Sequence, residues 1–204
     1  MELETIVEHG LVSFDIPFDG DILKNLCLYV TELTKWNERI NLVGLQDEES
    51  VARELLYDAF FLHGYVKRSE SVLDMGSGAG ILAIPLKILN KEMRVFSIDR
   101  TLKKIQFQRH IQRIVKLDNY FPIHGRIESL EMLNVQCLVV KAFGSIMDIL
   151  TKGGRHIIKG RHAFLLKGKT QEPENVDGFV LESFIPYTLP DSTKSHSLLI
   201  YRKY

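Results

Sequence analysis

Ser71-Val72-Leu73-Asp74-Met75-Gly76-Ser77-Gly78-Ala79-Gly80-Ile81 is the stretch on which the fold turns. A short apolar run ends in an aspartate, and three glycines follow within five residues. A helical pattern from Ile81 to Leu89 comes next. Glycines so placed let the backbone turn sharply and let a ligand approach the main chain. A helix start behind them offers free N–H groups. Asp99 closes the next apolar run, Val95-Phe96-Ser97-Ile98, 25 residues past Asp74. A carboxylate in that place can accept two hydrogen bonds from a ribose diol. A tight turn followed by an ordinary surface aspartate is the competing reading, and the order strand, loop, helix, strand, acid counts against it.

The dinucleotide fingerprint G-x-G-x-x-G puts its third glycine at position 81, where this chain has Ile81. The observed pattern is D-x-G-x-G-x-G. An acid inside the loop repels a pyrophosphate and suits a cationic amino group. Adenosine, ribose diol and amino acid together describe S-adenosylmethionine. Asp74, Gly76, Gly78, Gly80 and Asp99 are the cofactor-binding residues this predicts.

Outward from the loop, short apolar runs alternate with helical patterns. Leu102–Leu117 reads as a helix, then come Phe121–His124, Leu138–Val140, a helix at Ile146–Leu150, and Ala163–Leu166. Such alternation means crossover connections and a mostly parallel sheet with helices on both faces. Phe179–Leu189 and Ser197–Tyr201 read as two long strands around a turn at Pro190-Asp191-Ser192. The expected fold is α/β, a Rossmann-like class I S-adenosylmethionine-dependent methyltransferase with a C-terminal antiparallel hairpin. Residues 1–68 read as an acidic N-terminal helical segment and 69–204 as the Rossmann-like domain, together one compact unit. Within that segment, residues 20–42 are an amphipathic helix capped by Asp19 or Asp21, and Asp47 to Tyr65 is a second helical pattern.

Composition sets the class. The 204 residues are 45% hydrophobic and 25% charged, an ordinary globular balance. Cys27 and Cys137, far apart, exclude a disulfide scaffold and a cysteine zinc site. No apolar run approaches the ~18 residues that span a bilayer. Glu2, Glu4 and Glu8 without an early lysine or arginine exclude a signal peptide. A cytoplasmic monomer with no membrane partner is expected. The net charge is zero but unevenly spread: residues 1–60 carry 13 acids and 4 bases. Arg100–Lys116 and Lys152–Lys169 each carry six Lys or Arg and no acid. Two such runs beside one site point to a polyanionic partner.

The methyl acceptor is narrowed by the residues at the end of the fourth strand and just beyond it. Val139-Val140-Lys141-Ala142-Phe143-Gly144-Ser145 lacks the D/N-P-P-aromatic motif of amine methylation. Neither cysteine stands beside a proline as a cytosine C5 nucleophile would. Acceptors that are already nucleophilic remain: guanine N7, a small molecule or a protein.

Here the residues resemble one family over roughly positions 24–203: the RsmG (GidB) small-subunit ribosomal RNA methyltransferases, which make 7-methylguanosine. Lys35-Trp36-Asn37-Glu38-Arg39-Ile40-Asn41-Leu42 resembles the family's K-W-N-x-x-x-N-L. Asp74–Gly80 with Ile84-Pro85-Leu86, Asp99 with Lys103-Lys104, Arg126-Ile127-Glu128, Ala142-Phe143 and Leu166-Lys167-Gly168 follow in the family's order. The resemblance implies that Gly76 and Ile81 contact the cofactor and that Ile127 and Glu128 lie along the adenosine. It puts Lys141 near the cofactor, where the family has an arginine. It also implies that Arg126, Lys141 and Lys167 form the catalytic cluster around the target guanosine and its phosphates. Small-subunit ribosomal RNA or a ribosomal particle is the implied partner.

There are departures. The family's Leu-Pro-Gly after the loop is replaced by Leu82-Ala83. Lysine at 141 offers a point charge instead of a planar fork. Arg53-Glu54-Leu55-Leu56-Tyr57-Asp58 matches the family's Arg-His before an Asp only with a slip. Trp36 reads as a core aromatic rather than an RNA stacker, and Lys103 and Lys104 read equally well as surface lysines. Guanine N7 needs no general base, so catalysis would be chiefly positioning. A cofactor-binding RNA module, a methyltransferase of another acceptor, and a nicotinamide oxidoreductase remain open at this point.

Overall fold

The computed structural model describes residues 2–142, 144–168 and 172–204. Seven strands make one sheet: β1 (Ser71–Met75), β2 (Arg94–Asp99), β3 (Tyr120–His124), β4 (Val135–Lys141), β5 (Ile157–Lys167), β6 (Phe179–Thr188) and β7 (Ser195–Lys203). Their order is β3-β2-β1-β4-β5-β7-β6. The first five are parallel, β7 runs antiparallel to β5, and β6 runs antiparallel to β7. The terminal hairpin thus slots its second strand inside and leaves β6 at the edge. β1 is buried along its whole length, as a central parallel strand covered on both faces must be.

Side-chain alternation assigns the two faces. Val72, Val139, Phe164 and Leu198 pack into one cluster with the N-terminal helices. Leu73, Val140, Leu165 and Leu199 pack into another with α7 (Ile146–Gly153). The N-terminal part comprises α1 (Leu3–Ser13), α2 (Gly20–Ile40) and α3 (Glu48–Val51). A π-helical turn (Ala52–Leu56) then leads without a break into α4 (Tyr57–Val66). Asp19 is the cap of α2, its Oδ1 accepting from the Ile22 amide at 2.8 Å. Asn41, at φ 46°, ends that helix. Trp36 is half-buried and packs against the core, with ring centroids 5.5 Å from Phe107 and 5.0 Å from His110.

Several elements differ from the expected limits, and three of them show why. α1 stands apart as its own helix. Its Gly10 faces Tyr57, and a Cβ there would come within 2.3 Å of Cε1, so glycine is tolerated in that helix by contact rather than by propensity. α5 (Ala83–Leu89) begins two residues after Ile81, because the Gly80 and Ile81 amides are still held by the Ser77 carbonyl. β5 starts six residues before Ala163. Its register with β4 shifts between Val135 and Cys137, and that irregularity accommodates the polar run Lys159-Gly160-Arg161.

Candidate active site

The carboxyl ends of β1, β2 and β4 open into a cleft of about 530 Å³, the place where ligands bind in doubly wound sheets. Gly76, Gly78 and Gly80 have φ of 72°, 59° and 76°, values a side chain rarely adopts. The Gly76 and Ser77 amides donate to the Ile98 carbonyl at 2.9 and 3.0 Å. Asp99 pins the loop from the next strand. Its Oδ2 accepts from the Gly78 amide at 2.9 Å and its Oδ1 from the Thr101 amide at 2.8 Å. Each oxygen keeps a second lone pair for a ligand.

Behind the loop lies a buried polar brace from α6 (Leu102–Val115). The fully buried Gln108 donates to the Gly78 carbonyl at 2.7 Å and to Ser77 Oγ at 3.0 Å. Its Oε1 accepts from Ser97 Oγ at 2.7 Å and from the Tyr120 hydroxyl at 2.8 Å. No motif flagged this residue. A glutamine on the buried stripe Ile105-Gln108-Ile111 is the signal that could have found it.

Gly76, Gly78, Ile81, Asp74, Asp99, Ile127, Glu128, Arg126 and Lys141 all line the cleft. Gly80 does not. A Cβ on it would lie 2.6 Å from Ile84 Cδ1 and 3.1 Å from the Tyr120 hydroxyl, so its lack of a side chain serves packing behind the loop. Asp74 is almost wholly buried, and its Oδ2 accepts from the Ala83 amide at 3.1 Å. Burial drives its carboxyl up to about 7; the Ala83 hydrogen bond opposes this, and the nearby negative charge of Asp99 adds to it.

One wall comes from the N-terminal segment. Leu42, Val43 and Leu55 line it. Asn37, buried, holds the loop after α2: its Oδ1 accepts from the Leu42 and Val43 amides at 2.6 and 2.9 Å, and its Nδ2 donates to the Leu45 carbonyl at 2.7 Å. This gives the K-W-N-x-x-x-N-L stretch a physical meaning. Lys103 donates to the Ile40 carbonyl at the end of α2, whereas Lys104 lines the cleft.

The cationic residues separate. Lys141 Nζ meets Asp58 Oδ2 at 2.7 Å and donates to the Glu54 carbonyl at 3.1 Å. A π-helical turn stands at Arg53–Asp58, closing the Tyr57 amide onto the Ala52 carbonyl. Lys167 stands apart from Lys141. Lys141 pairs with Leu166 in the sheet, so the next residue points to the opposite face. There Lys167 Nζ donates to the Gly144 carbonyl at 2.9 Å, burial lowering its ammonium pKa, and it is not among the cleft-lining residues. Phe143 and Lys169 lie outside the described residues.

The second basic run also corrects an expectation. Lys152 lines the cleft, paired to Asp148 at 2.8 Å. Lys159 and Arg161 stand at the amino end of β5, the far end of the sheet from the cleft. Of the described cations of this run Lys152 lines the cleft, so the run reaches the site at its first residue and not along its length. Arg100, Lys104 and Arg126 line the cleft and form no ion pair among the described residues.

These residues suit a ligand with a diol, a cationic amino group and an apolar base. Asp99 keeps lone pairs at one end, Asp74 is a carboxylate beneath the loop, and Ile98 and Ile127 offer apolar walls. Among solved structures, a SAM dependent methyltransferase from Aquifex aeolicus superimposes with a TM-score of 0.57 over 74% of this chain and 93% of that one, at 13% identity. TrmN from Thermus thermophilus gives 0.56 over 72% and 49%, also at 13%. These likenesses establish the fold. The ribosomal RNA small subunit methyltransferase G of Geotalea uraniireducens is 33% identical, covering 95% of this chain and 94% of that protein. That of Geobacter sulfurreducens is 31% identical, covering 95% and 94%. Residues 22–187 match the family model for rRNA small subunit methyltransferase G, GidB, and the chain belongs to that family.

Proposed function

We propose that this protein transfers the methyl group of S-adenosylmethionine to N7 of a guanosine in small-subunit ribosomal RNA. One observation carries the reading: a single cleft joins a glycine loop bracketed by Asp74 and Asp99 to the cations Arg126 and Lys141. When bound, S-adenosylmethionine supplies a methyl group on a sulfonium, already activated for in-line transfer. Asp99 accepts from the ribose hydroxyls, and Asp74 offers negative charge to the amino acid end. Guanine N7 has a lone pair at neutral pH, so the chain need supply no base, and its residues act by orienting. Lys141 and Arg126 donate to guanine O6 or to phosphate, not to N7, where a cation would oppose the positive charge of the product. Lys167 braces the segment after β4 from the other face. Arg100, Lys104 and α6 draw in the phosphate backbone. The partner is the small-subunit RNA or a particle containing it, met in the cytoplasm.

The reading is tested in cells that lack this modification. Small-subunit RNA is isolated after expression of this chain, digested to nucleosides and analysed by mass spectrometry. Return of 7-methylguanosine is expected. Its absence, with the protein folded and present, would overturn the reading.

A further inference from the structure

Lys141 reaches the cleft as a tethered charge. Its ammonium has three donors, of which Asp58 Oδ2 at 2.7 Å and the Glu54 carbonyl at 3.1 Å engage two. The third N–H has no partner among the described residues. The Asp58 side chain is 1% exposed, and its other oxygen accepts from the Tyr187 hydroxyl at 2.7 Å. Tyr187 is itself fixed, stacked on Phe61 with centroids 3.9 Å apart and on His196 at 5.3 Å. A lysine alone holds no direction, because its charge sits on a flexible four-carbon stem. Here a buried carboxylate, locked from behind by a packed phenol on β6, sets that direction. The π-helical turn carries one tether and adjoins the other: Glu54 is within it, and Asp58 follows two residues after it.

We propose that Asp58 is the positioning residue of the acceptor step. It holds the Lys141 ammonium so that the remaining N–H faces an acceptor oxygen of the target nucleotide, and Tyr187 holds Asp58. The two exposed ion pairs nearby, Arg53 with Asp191 and Lys194 with Glu54, both at 2.7 Å, tie the hairpin tip to the same turn but are worth little by themselves. The buried pair differs: removing one partner strands the other without compensation. The proposal rests on Lys141 being the group that meets the acceptor.

Methyl transfer to small ribosomal subunits is measured for the wild type, K141A, D58N and the double variant. Calorimetry gives the S-adenosylmethionine affinity and circular dichroism the folding. K141A and D58N are each expected to lower kcat about tenfold or more, with cofactor Kd held within about twofold. The double variant is expected to be no slower than K141A, since Asp58 acts through Lys141. Wild-type kcat in K141A would remove the reading of Lys141, and the proposal with it. A slow K141A beside a fully active D58N would overturn the proposal alone, as would a double variant slowed by the product of the two effects. If D58N fails to fold, Y187F takes its place, because it removes only the donor to Asp58. A several-fold loss of kcat that vanishes in the K141A background supports the proposal, and full kcat in Y187F overturns it.

Discussion

Asp74 carries the clearest consequence of a single side chain's surroundings. Its carboxyl titrates near 7 instead of 3.8, chiefly because it is buried. An unfolded chain would release that proton at lower pH, so this group favours the folded state less and less as pH rises from about 4 through 7. A cationic amino group needs the ionised form. Affinity for S-adenosylmethionine should therefore climb with pH through about 7 and level off above it. Between pH 6 and pH 8 the gain should be about tenfold. Calorimetric titration of the wild type and D74N checks this: D74N should bind weakly with a flat profile, and it should melt higher than the wild type at pH 8 without cofactor. A flat wild-type profile would contradict the role given to Asp74.

At the scale of elements, α6 both carries cations and braces the glycine loop through Gln108. Q108L would leave the Gly78 carbonyl and three hydroxyls, on Ser77, Ser97 and Tyr120, without that partner. The expected cost is about 2–4 kcal/mol of stability and about tenfold in cofactor affinity. Denaturant titration and calorimetry measure the two. Unchanged affinity in a destabilised Q108L would show that the loop holds itself. Periodicity made α2 and α6 legible in the sequence, because each buries one regular face, and β1, buried on both faces, was legible as a short apolar run before the glycines. Gly10 concealed α1, since its reason is the Tyr57 ring, 47 residues away in sequence. The π-helical turn was not legible, because a widened turn is defined by its i to i+5 hydrogen bond and not by residue type. The face that Lys167 takes was not legible for a related reason. Which face a strand-end residue takes depends on register, and register is a property of the paired strands.

For the whole molecule, the decisive feature is where topology puts charge. Net charge is zero, yet Arg100 and Lys104 face the cleft while Lys159 and Arg161 lie at the other end of the sheet. Sequence could count the two basic runs but not place them, because their positions depend on the direction of β5. Salt dependence of RNA binding separates them. R100A should lower the slope of log K against log salt by about 1, and R161A should leave it unchanged. Equal effects would mean that the RNA footprint extends away from the cleft. The central claim concerns the reaction itself, and the most direct measurement uses purified protein, methyl-labelled S-adenosylmethionine and small ribosomal subunits lacking the modification, followed by nucleoside separation. Label confined to 7-methylguanosine, and reduced in K141A, is the predicted result. Label in any other nucleoside or in protein, or none despite measurable cofactor binding, would contradict it.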